Sequence, residues 1–168
     1  MRYDTEISEE KGLIPQLVSG SDVTPEQSAV LEPAMLYEGY QLDDSSILKL
    51  VHVSREGLPY KKFKIAESAF NLSKKQLADI LHISDRTIDR IHKEKKRLTT
   101  SQTEKVLELS LLYEQGWEVF GDRSAFRKWL ERPRYALGDK TPLSLLDTNY
   151  GIQTVKTLLG RIEHGIPA

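Results

Sequence analysis

The sequence predicts an all-α fold, and three observations support that prediction. Apolar residues recur at helical spacing along the chain, and no segment shows the alternation typical of a half-buried strand. Capping residues and glycines divide this pattern into segments of helix length. Two short amphipathic segments between residues 72 and 91 are joined by a tight corner. With 168 residues, the chain is long enough for one sizeable core or for two small ones that share an interface.

The first part of the chain predicts an arm followed by two helices. We expect residues 1–43 to form a partly flexible N-terminal arm, because its first 30 residues are polar, acidic and without sustained periodicity. Apolar positions predict a helix from Asp44 to Arg55, stopped by Gly57 with Pro59 beyond it. A second helix is predicted from about Tyr60 to Phe70.

The two short segments that follow have the pattern of a helix-turn-helix. Ser73 and Ser84 each precede a helical pattern, so each hydroxyl is placed to accept a hydrogen bond from an N–H of the first turn. Ile88 and Ile91 fall on one face of the second helix, and we expect Ile83 in the corner to pack against both helices. The second helix of such a motif lies in the major groove of DNA.

The outer face of that second helix carries candidate DNA-binding side chains. Arg86 and Arg90 lie one helical turn apart, and arginine is the commonest partner of guanine through a bidentate hydrogen bond. Flexible lysines beyond them suit phosphates. The residues predicted to bind DNA are Ser84, Arg86, Thr87, Arg90, Lys93, Lys95, Lys96 and Arg97. Alternatively, Asp89 pairs with Arg86 or Lys93, and the helix is a charged surface helix without DNA contact.

Charge is distributed unevenly along the chain. The formal net charge is only −1, but residues 1–60 carry −7, residues 61–105 carry +6 and residues 106–168 carry 0. Local charge decides what a surface attracts, because the Debye length is only about 8–10 Å. The positive block coincides with the helix-turn-helix, which favours nucleic acid as its partner. A solvated lysine-rich face is the alternative.

A long helix is predicted after the basic block. It runs from about Ser101 to Phe120, with Thr99 or Thr100 as its cap and Glu104 placed for a capping box. Gly121 ends it.

The remaining segments predict short helices and one final helix. Asp122 caps a short helix, and the Pro133–Lys140 segment is a connector. Thr141 and the proline after it open another short helix. The last helix spans Tyr150 to Ile162; Asp147 and Thr148 are placed to cap it, Gly160 allows another backbone to approach, and Gly165 breaks the helix.

Several classes of protein are disfavoured by the sequence. There are no cysteines, so there is no disulfide, thiolate metal site or cysteine nucleophile. The histidines lack metal-ligand spacing, and no loop is suited to cradle phosphates, so we expect no enzyme activity, metal or cofactor. His52, His82, His92 and His164 are interpreted as surface or capping residues. Without a membrane span or charged leader, a cytoplasmic location is expected.

A series of short motifs, in order along the chain, matches a known family. The motifs are Gly57-Leu58-Pro59, Ser84-Asp85-Arg86-Thr87-Ile88, Phe120-Gly121-Asp122, Trp129-Leu130, Thr141-Pro142-Leu143, Leu146-Asp147-Thr148 and Leu159-Gly160-Arg161-Ile162-Glu163-His164-Gly165. Over about residues 45–168 the chain resembles Xre/ParS-type antitoxins of type II toxin–antitoxin systems, whose partners are RES-domain toxins. His82 departs from the glycine usual at the corner of this motif, although histidine tolerates a left-handed backbone better than most residues.

The resemblance implies a two-part protein. Residues 44–105 would form an Xre-like helix-turn-helix domain that dimerises as a homodimer, binds operator double-stranded DNA and represses the protein's own operon. Residues 106–168 would form a toxin-binding domain that closes the active site of a RES toxin, an enzyme that consumes NAD or transfers its ADP-ribose. The antitoxin itself would need no NAD.

The chain end supplies the candidate toxin-binding residues. In that scheme they are Asp147, Thr148, Arg161, Ile162, Glu163, His164, Gly165 and Ile166, with the terminal Pro167 and Ala168. We infer that Arg161 mimics or blocks the site of the cationic nicotinamide. The alternative function is a free-standing dimeric transcription regulator whose C-terminal helices sense a small ligand or only dimerise.

Overall fold

The computed structural model describes residues 12–18 and 44–166, with side chains from residue 47 onward in the second range. Within these ranges every regular element is a helix, as predicted. The elements are α1 (Leu13–Val18), α2 (Asp44–Glu56), α3 (Tyr60–Phe70), α4 (Lys74–Leu81), α5 (Asp85–Glu94), α6 (Thr100–Phe120), α7 (Arg123–Leu130) and α8 (Asn149–Glu163). Two 3-10 turns, Tyr135–Leu137 and Pro142–Leu145, lie between α7 and α8. Among the described residues, no helix combines the length and apolar content that a membrane span requires.

The chain divides into two compact units, with the division after Ser110. Of the described residues, 12–18 and 44–110 belong to the first unit and 111–166 to the second. Helix α6 contributes residues to both units.

Helix α1 lies inside the predicted arm, where the sequence analysis placed no element. Four of its six residues are buried, namely Leu13, Ile14, Leu17 and Val18. It packs against α2 and α3, so this part of the arm belongs to the core of the first unit. Six residues are too few for helical periodicity to stand out in a polar segment. The rest of the predicted arm lies outside the described residues.

The turn after α2 is tied to the start of α6. Gly57 has a φ of 78°, and a Cβ there would meet the Leu98 carbonyl oxygen, so glycine is required at this position. The buried Leu58 N–H donates to the Thr103 hydroxyl at 2.8 Å, and the Leu98 N–H donates to the Leu58 carbonyl at 3.0 Å. These bonds hold the segment that follows α5 against the segment that precedes α3.

The cap of α6 differs from the prediction. Thr99 and Gln102 form the capping box: the Thr99 N–H donates to Gln102 Oε1 at 3.0 Å, and the Gln102 N–H donates to Thr99 Oγ1 at 3.4 Å. The predicted partner Glu104 is wrong, because the helix begins at Thr100 and the third helical position is therefore residue 102.

The second unit packs around aromatic rings of α6 and α7. The rings of Tyr113 and Phe126 meet edge to face at 5.3 Å between centroids. Gly116 makes this approach possible, because a Cβ at that position would overlap the Phe126 ring. Asp122 caps α7 as predicted, accepting hydrogen bonds from the N–H groups of Ser124 and Ala125.

Candidate functional site

Helices α4 and α5 form the predicted helix-turn-helix, and a left-handed residue ends α4. His82 has φ 53° and ψ 43°; its N–H donates to the Asp79 carbonyl at 3.2 Å, and the Ile83 N–H donates to the Ala78 carbonyl at 3.0 Å. This pair of bonds is a Schellman motif with histidine in the usual glycine position. Ile83, which we expected to pack against both helices, is only half-buried.

Both predicted N-caps are present. The Ser73 hydroxyl accepts from the Gln76 N–H at 3.2 Å, and the Gln76 side chain completes a capping box. The Ser84 hydroxyl accepts from the Thr87 N–H at 3.1 Å and bonds the Thr87 hydroxyl at 3.0 Å. Ser84 therefore fixes the position where α5 begins.

The inner face of α5 is fixed to the first unit by three side chains. Ile88 and Ile91 are buried, as predicted. His92 lies between two partners on α3: its Nδ1 is 3.2 Å from the Tyr60 hydroxyl, and its Nε2 is 3.1 Å from a carboxylate oxygen of Glu67. This bridge is not predictable from sequence, because the two partners lie 32 and 25 residues away along the chain.

The outer face of α5 presents its arginines to solvent. Arg86, Arg90 and Lys93 are exposed and line one open depression, whose other lining residues are Ser84, Thr87, Asp89 and Glu94. In the part of the chain that the structure describes, no residue forms an ion pair with Arg86 or Arg90.

The carboxylate on this face has another partner. Asp89 bonds Lys74 of α4 at 3.0 Å, and this hydrogen bond raises the pKa of the lysine. The alternative in which Asp89 neutralises Arg86 or Lys93 is therefore not the arrangement that the structure has.

The basic residues at the end of α5 and directly after it separate into two groups. Lys93 and Lys95 are exposed, and neither is in an ion pair with a described residue. Lys96 bonds Glu94 at 2.6 Å; that bond, followed by the charges of Lys96 and Arg90, lowers the pKa of the Glu94 carboxyl. Arg97 donates to the Gly57 carbonyl at 2.8 Å, so one of its nitrogens supports the turn after α2.

In the second unit, Thr148 caps α8. Its hydroxyl accepts from the Gly151 N–H at 3.0 Å, whereas the neighbouring Asp147 is exposed. Gly151 lies so close to the Leu145 carbonyl that a Cβ there would overlap it. At Gly160, where the sequence predicted close approach of another backbone, a Cβ would meet no described atom within 4 Å.

The chain end after α8 has a defined conformation. Gly165 has a φ of 68°; its N–H donates to the Ile162 carbonyl at 3.0 Å, and the Ile166 N–H donates to the Arg161 carbonyl at 2.8 Å. This second Schellman motif holds the end of the chain against the last turn of α8. The predicted toxin-binding side chains Asp147, Thr148, Arg161, Glu163, His164 and Ile166 are exposed, and Ile162 is half-buried. Pro167 and Ala168 lie outside the described residues.

Two tyrosines of the second unit are nearly fully exposed. Tyr135, in the first 3-10 turn, is 93% exposed, and Tyr150, at the start of α8, is 90% exposed. Exposed aromatic side chains are typical anchors of protein–protein interfaces. Glu118 of α6 has a raised pKa. Burial is the main cause, and the negative charge of Glu163, at the end of α8, adds to it.

A helix-turn-helix unit followed by a second helical unit defines a two-part protein of the DNA-binding regulator class. Residues 49–110 match the antitoxin Xre-like helix-turn-helix domain, and residues 115–165 match the antitoxin Xre/MbcA/ParS C-terminal toxin-binding domain. The chain belongs to the Xre antitoxin family.

Three relatives illustrate the likeness. The chain is 30% identical to "Antitoxin Xre" of Photorhabdus laumondii subsp. laumondii over 115 residues, which are 68% of this chain and 78% of the relative. It is 28% identical to "Antitoxin Xre" of Yersinia enterocolitica serotype O:8, over 57% of this chain and 66% of the relative. It is also 28% identical to "Prs ADP-ribosylating antitoxin" of a Sphingobium species, over 68% of this chain and 78% of the relative.

The protein is therefore an antitoxin of a toxin–antitoxin system, with a helix-turn-helix domain and a toxin-binding domain. The family matches favour an antitoxin over the alternative function, a free-standing dimeric transcription regulator. The partners that follow from the two domains are a toxin and DNA.

Proposed function

We propose that this antitoxin inhibits a RES-type, NAD-consuming toxin with its C-terminal unit and represses its own operon as a homodimer through α5. The name of the Sphingobium relative refers to ADP-ribosylation, a reaction that uses NAD as its donor. This supports a toxin of the same chemical class. Residues 106–168 supply the toxin-binding domain and residues 44–105 the DNA-binding and dimerisation domain.

The outward arginines of α5 carry the DNA half of the proposal. Arg86 and Arg90 are exposed one turn apart, while the opposite face of the helix is fixed by buried isoleucines. Such a helix enters the major groove with its side chains free for guanine O6 and N7. Lys93 and Lys95 contact phosphates. Ser84 and Thr87 lie at the end of α5 that faces the DNA.

Two of the basic residues assigned from sequence have a smaller part in this interface. Lys96 is paired with Glu94, and Arg97 supports the turn at Gly57. Both add positive potential, but neither has its whole side chain available for a phosphate. In a homodimer, two copies of α5 reach half-sites about 34 Å apart on one face of the duplex.

The DNA half is tested with Arg86→Ala combined with Arg90→Ala. Operator affinity should fall at least about thirtyfold, because two bidentate base contacts of about 1–3 kcal/mol each are lost in every protomer. Neutralisation of the toxin should be retained. Arg55→Ala combined with Lys61→Ala removes the same charge from exposed positions on α2 and α3 and is the matched control. Unchanged operator binding by the α5 variant would contradict the assignment.

The capped chain end carries the toxin half of the proposal. The Schellman motif at Gly165 holds Ile166, which is 53% exposed, beside the last turn of α8, where Arg161 and His164 are also exposed. A fixed apolar and cationic group loses little conformational entropy when it enters a pocket. We assign it to the NAD pocket of the toxin, where Arg161 blocks the site of the nicotinamide cation. Asp147, Thr148, Ile162 and Glu163 complete the contact.

Arg161→Ala combined with Ile166→Ala tests this half. Inhibition of NAD consumption by the purified toxin should weaken about tenfold or more, and co-expression should no longer rescue growth. Thr154→Ala combined with Thr157→Ala is the control, because both residues are exposed on α8 and bond only their own helix backbone. Full inhibition by the double variant would assign toxin inhibition to another surface.

A further inference from the structure

A second candidate contact lies in the C-terminal unit, away from the capped chain end in sequence. An open groove is lined by the side chains of Phe120, Ala125, Lys128, Trp129, Arg132 and Arg134. Three of these residues are apolar and three are cationic, and no carboxylate of the described part of the chain lines the groove.

The floor of the groove is apolar, and its Trp129 ring offers no open face. Trp129 is only 5% exposed, and its ring centroid lies 5.6 Å from that of Phe120. The Arg134 guanidinium lies over the Trp129 ring, 5.3 Å from its centroid. A nucleobase would need an open aromatic face for stacking. The floor instead suits a small aliphatic side chain that contacts ring edges.

The rim of the groove is positive and lacks counter-charges. Among residues 47–166, which include every described side chain of this unit, none forms an ion pair with Lys128, Arg132 or Arg134. Glu131 lies between them in sequence, but it bonds Arg127 at 2.7 Å. The positive charges of the rim are therefore available to an external anion.

Arg134 is held in place by its backbone, and the Nε of its guanidinium lacks an acceptor among the described residues. Its backbone N–H donates to the Lys140 carbonyl at 3.0 Å, and its carbonyl accepts from the Leu137 N–H at 3.0 Å, so the connector turn fixes its position. Its Nε is buried and has no hydrogen-bond partner among the described residues. Burial, with the charge of Arg132 in addition, lowers the pKa of Arg134. A carboxylate bound between Arg132 and Arg134 would relieve the repulsion between the two arginines.

We propose that this groove binds an acidic segment of the toxin, with a carboxylate on Arg132 and Arg134 and an adjacent aliphatic side chain on the Phe120–Trp129 edge. The inference rests on the proposed function of the C-terminal unit, which matches a toxin-binding domain over residues 115–165. Charge complementarity favours an acidic partner, and the apolar floor favours a protein over DNA phosphates, which have no apolar group to place there.

The test uses full-length protein and a catalytically silenced form of the toxin encoded by the neighbouring reading frame. Lys128→Glu combined with Arg132→Glu should weaken toxin binding about tenfold or more and flatten its salt dependence. Arg123→Glu combined with Lys140→Glu is the control: it makes the same charge change at exposed positions of the same unit outside the groove. The control should change affinity about twofold or less.

Two further measurements support the proposal if they succeed. A lysine substitution of one toxin carboxylate should restore binding to the Lys128→Glu, Arg132→Glu variant, because it restores opposite charges. Arg134→Lys keeps the positive charge but loses the planar guanidinium, so it should also weaken toxin binding. It provides a milder variant if the Lys128→Glu, Arg132→Glu protein does not fold.

The other outcomes separate the possible failures. If the wild-type chain does not bind the toxin, the proposed function itself is wrong. If the wild type binds and the groove variant binds equally well, only the groove assignment is overturned. If the groove variant binds operator DNA more weakly but binds the toxin as before, the groove is a DNA contact. If ADP-ribose quenches the tryptophan fluorescence of the wild type but not of the groove variant, the groove is a nucleotide site. Either result overturns the inference.

Discussion

His82 occupies a position where the backbone, rather than the side chain, limits the choice of residue. With φ at 53°, a β-branched residue would be strained, whereas asparagine tolerates this region well. We expect His82→Val to lower the free energy of unfolding by about 1–2 kcal/mol relative to His82→Asn. Urea denaturation measures this difference, and comparing the two variants cancels the loss of the imidazole. Equal stabilities would show that the corner relaxes out of the left-handed region.

Gly116 and Gly160 provide a second comparison between single residues, both in helices of the second unit. Gly116→Ala would overlap the Phe126 ring, so we expect it to cost about 1–3 kcal/mol from overpacking. Gly160→Ala meets no described atom and should stabilise α8 by about 0.5–1 kcal/mol, because alanine loses less backbone entropy. Thermal unfolding should show shifts of opposite sign. Stabilisation by Gly116→Ala would mean that the Phe126 ring moves aside at little cost.

At the scale of elements, Ser73 and Ser84 make the same kind of bond on two helices with different roles. Ser73→Ala and Ser84→Ala should each destabilise the protein by about 0.5–2 kcal/mol, because each hydroxyl caps a helix. Only Ser84→Ala should also weaken operator binding, since α5 carries the outward arginines. Titration of labelled operator DNA below the unfolding transition separates the two effects. An equal loss of affinity in both variants would make the effect one of general stability.

Helix positions were predictable from sequence wherever a local signal existed. The caps at Ser73, Ser84, Asp122 and Thr148 follow from side chains that bond backbone groups two or three residues away, and such bonds are visible in a linear sequence. The Glu104 capping box failed because Glu104 is the fifth residue of a helix that begins at Thr100, whereas the box needs the third.

The features that sequence did not predict depend on contacts between distant residues. The bridge of His92 to Tyr60 and Glu67, and the bond from Arg97 to Gly57, each join residues at least 25 positions apart. Their sequence neighbourhoods resemble an ordinary basic surface helix. Sequence correctly placed Arg86 and Arg90 on the outer face of α5, but it could not tell that Asp89 would pair with Lys74 of α4.

At the scale of the whole molecule, the salt dependence of operator binding reports how many phosphates the dimer contacts. If each protomer places three cations on phosphates, the slope of log affinity against log salt should be about −5. Lys95→Ala should reduce its magnitude to about 3 or 4, because two contacts are lost per dimer. Lys96→Ala should leave the slope nearly unchanged, since its charge is already matched by Glu94. Equal slopes for both variants would mean that the pair with Glu94 opens when DNA binds.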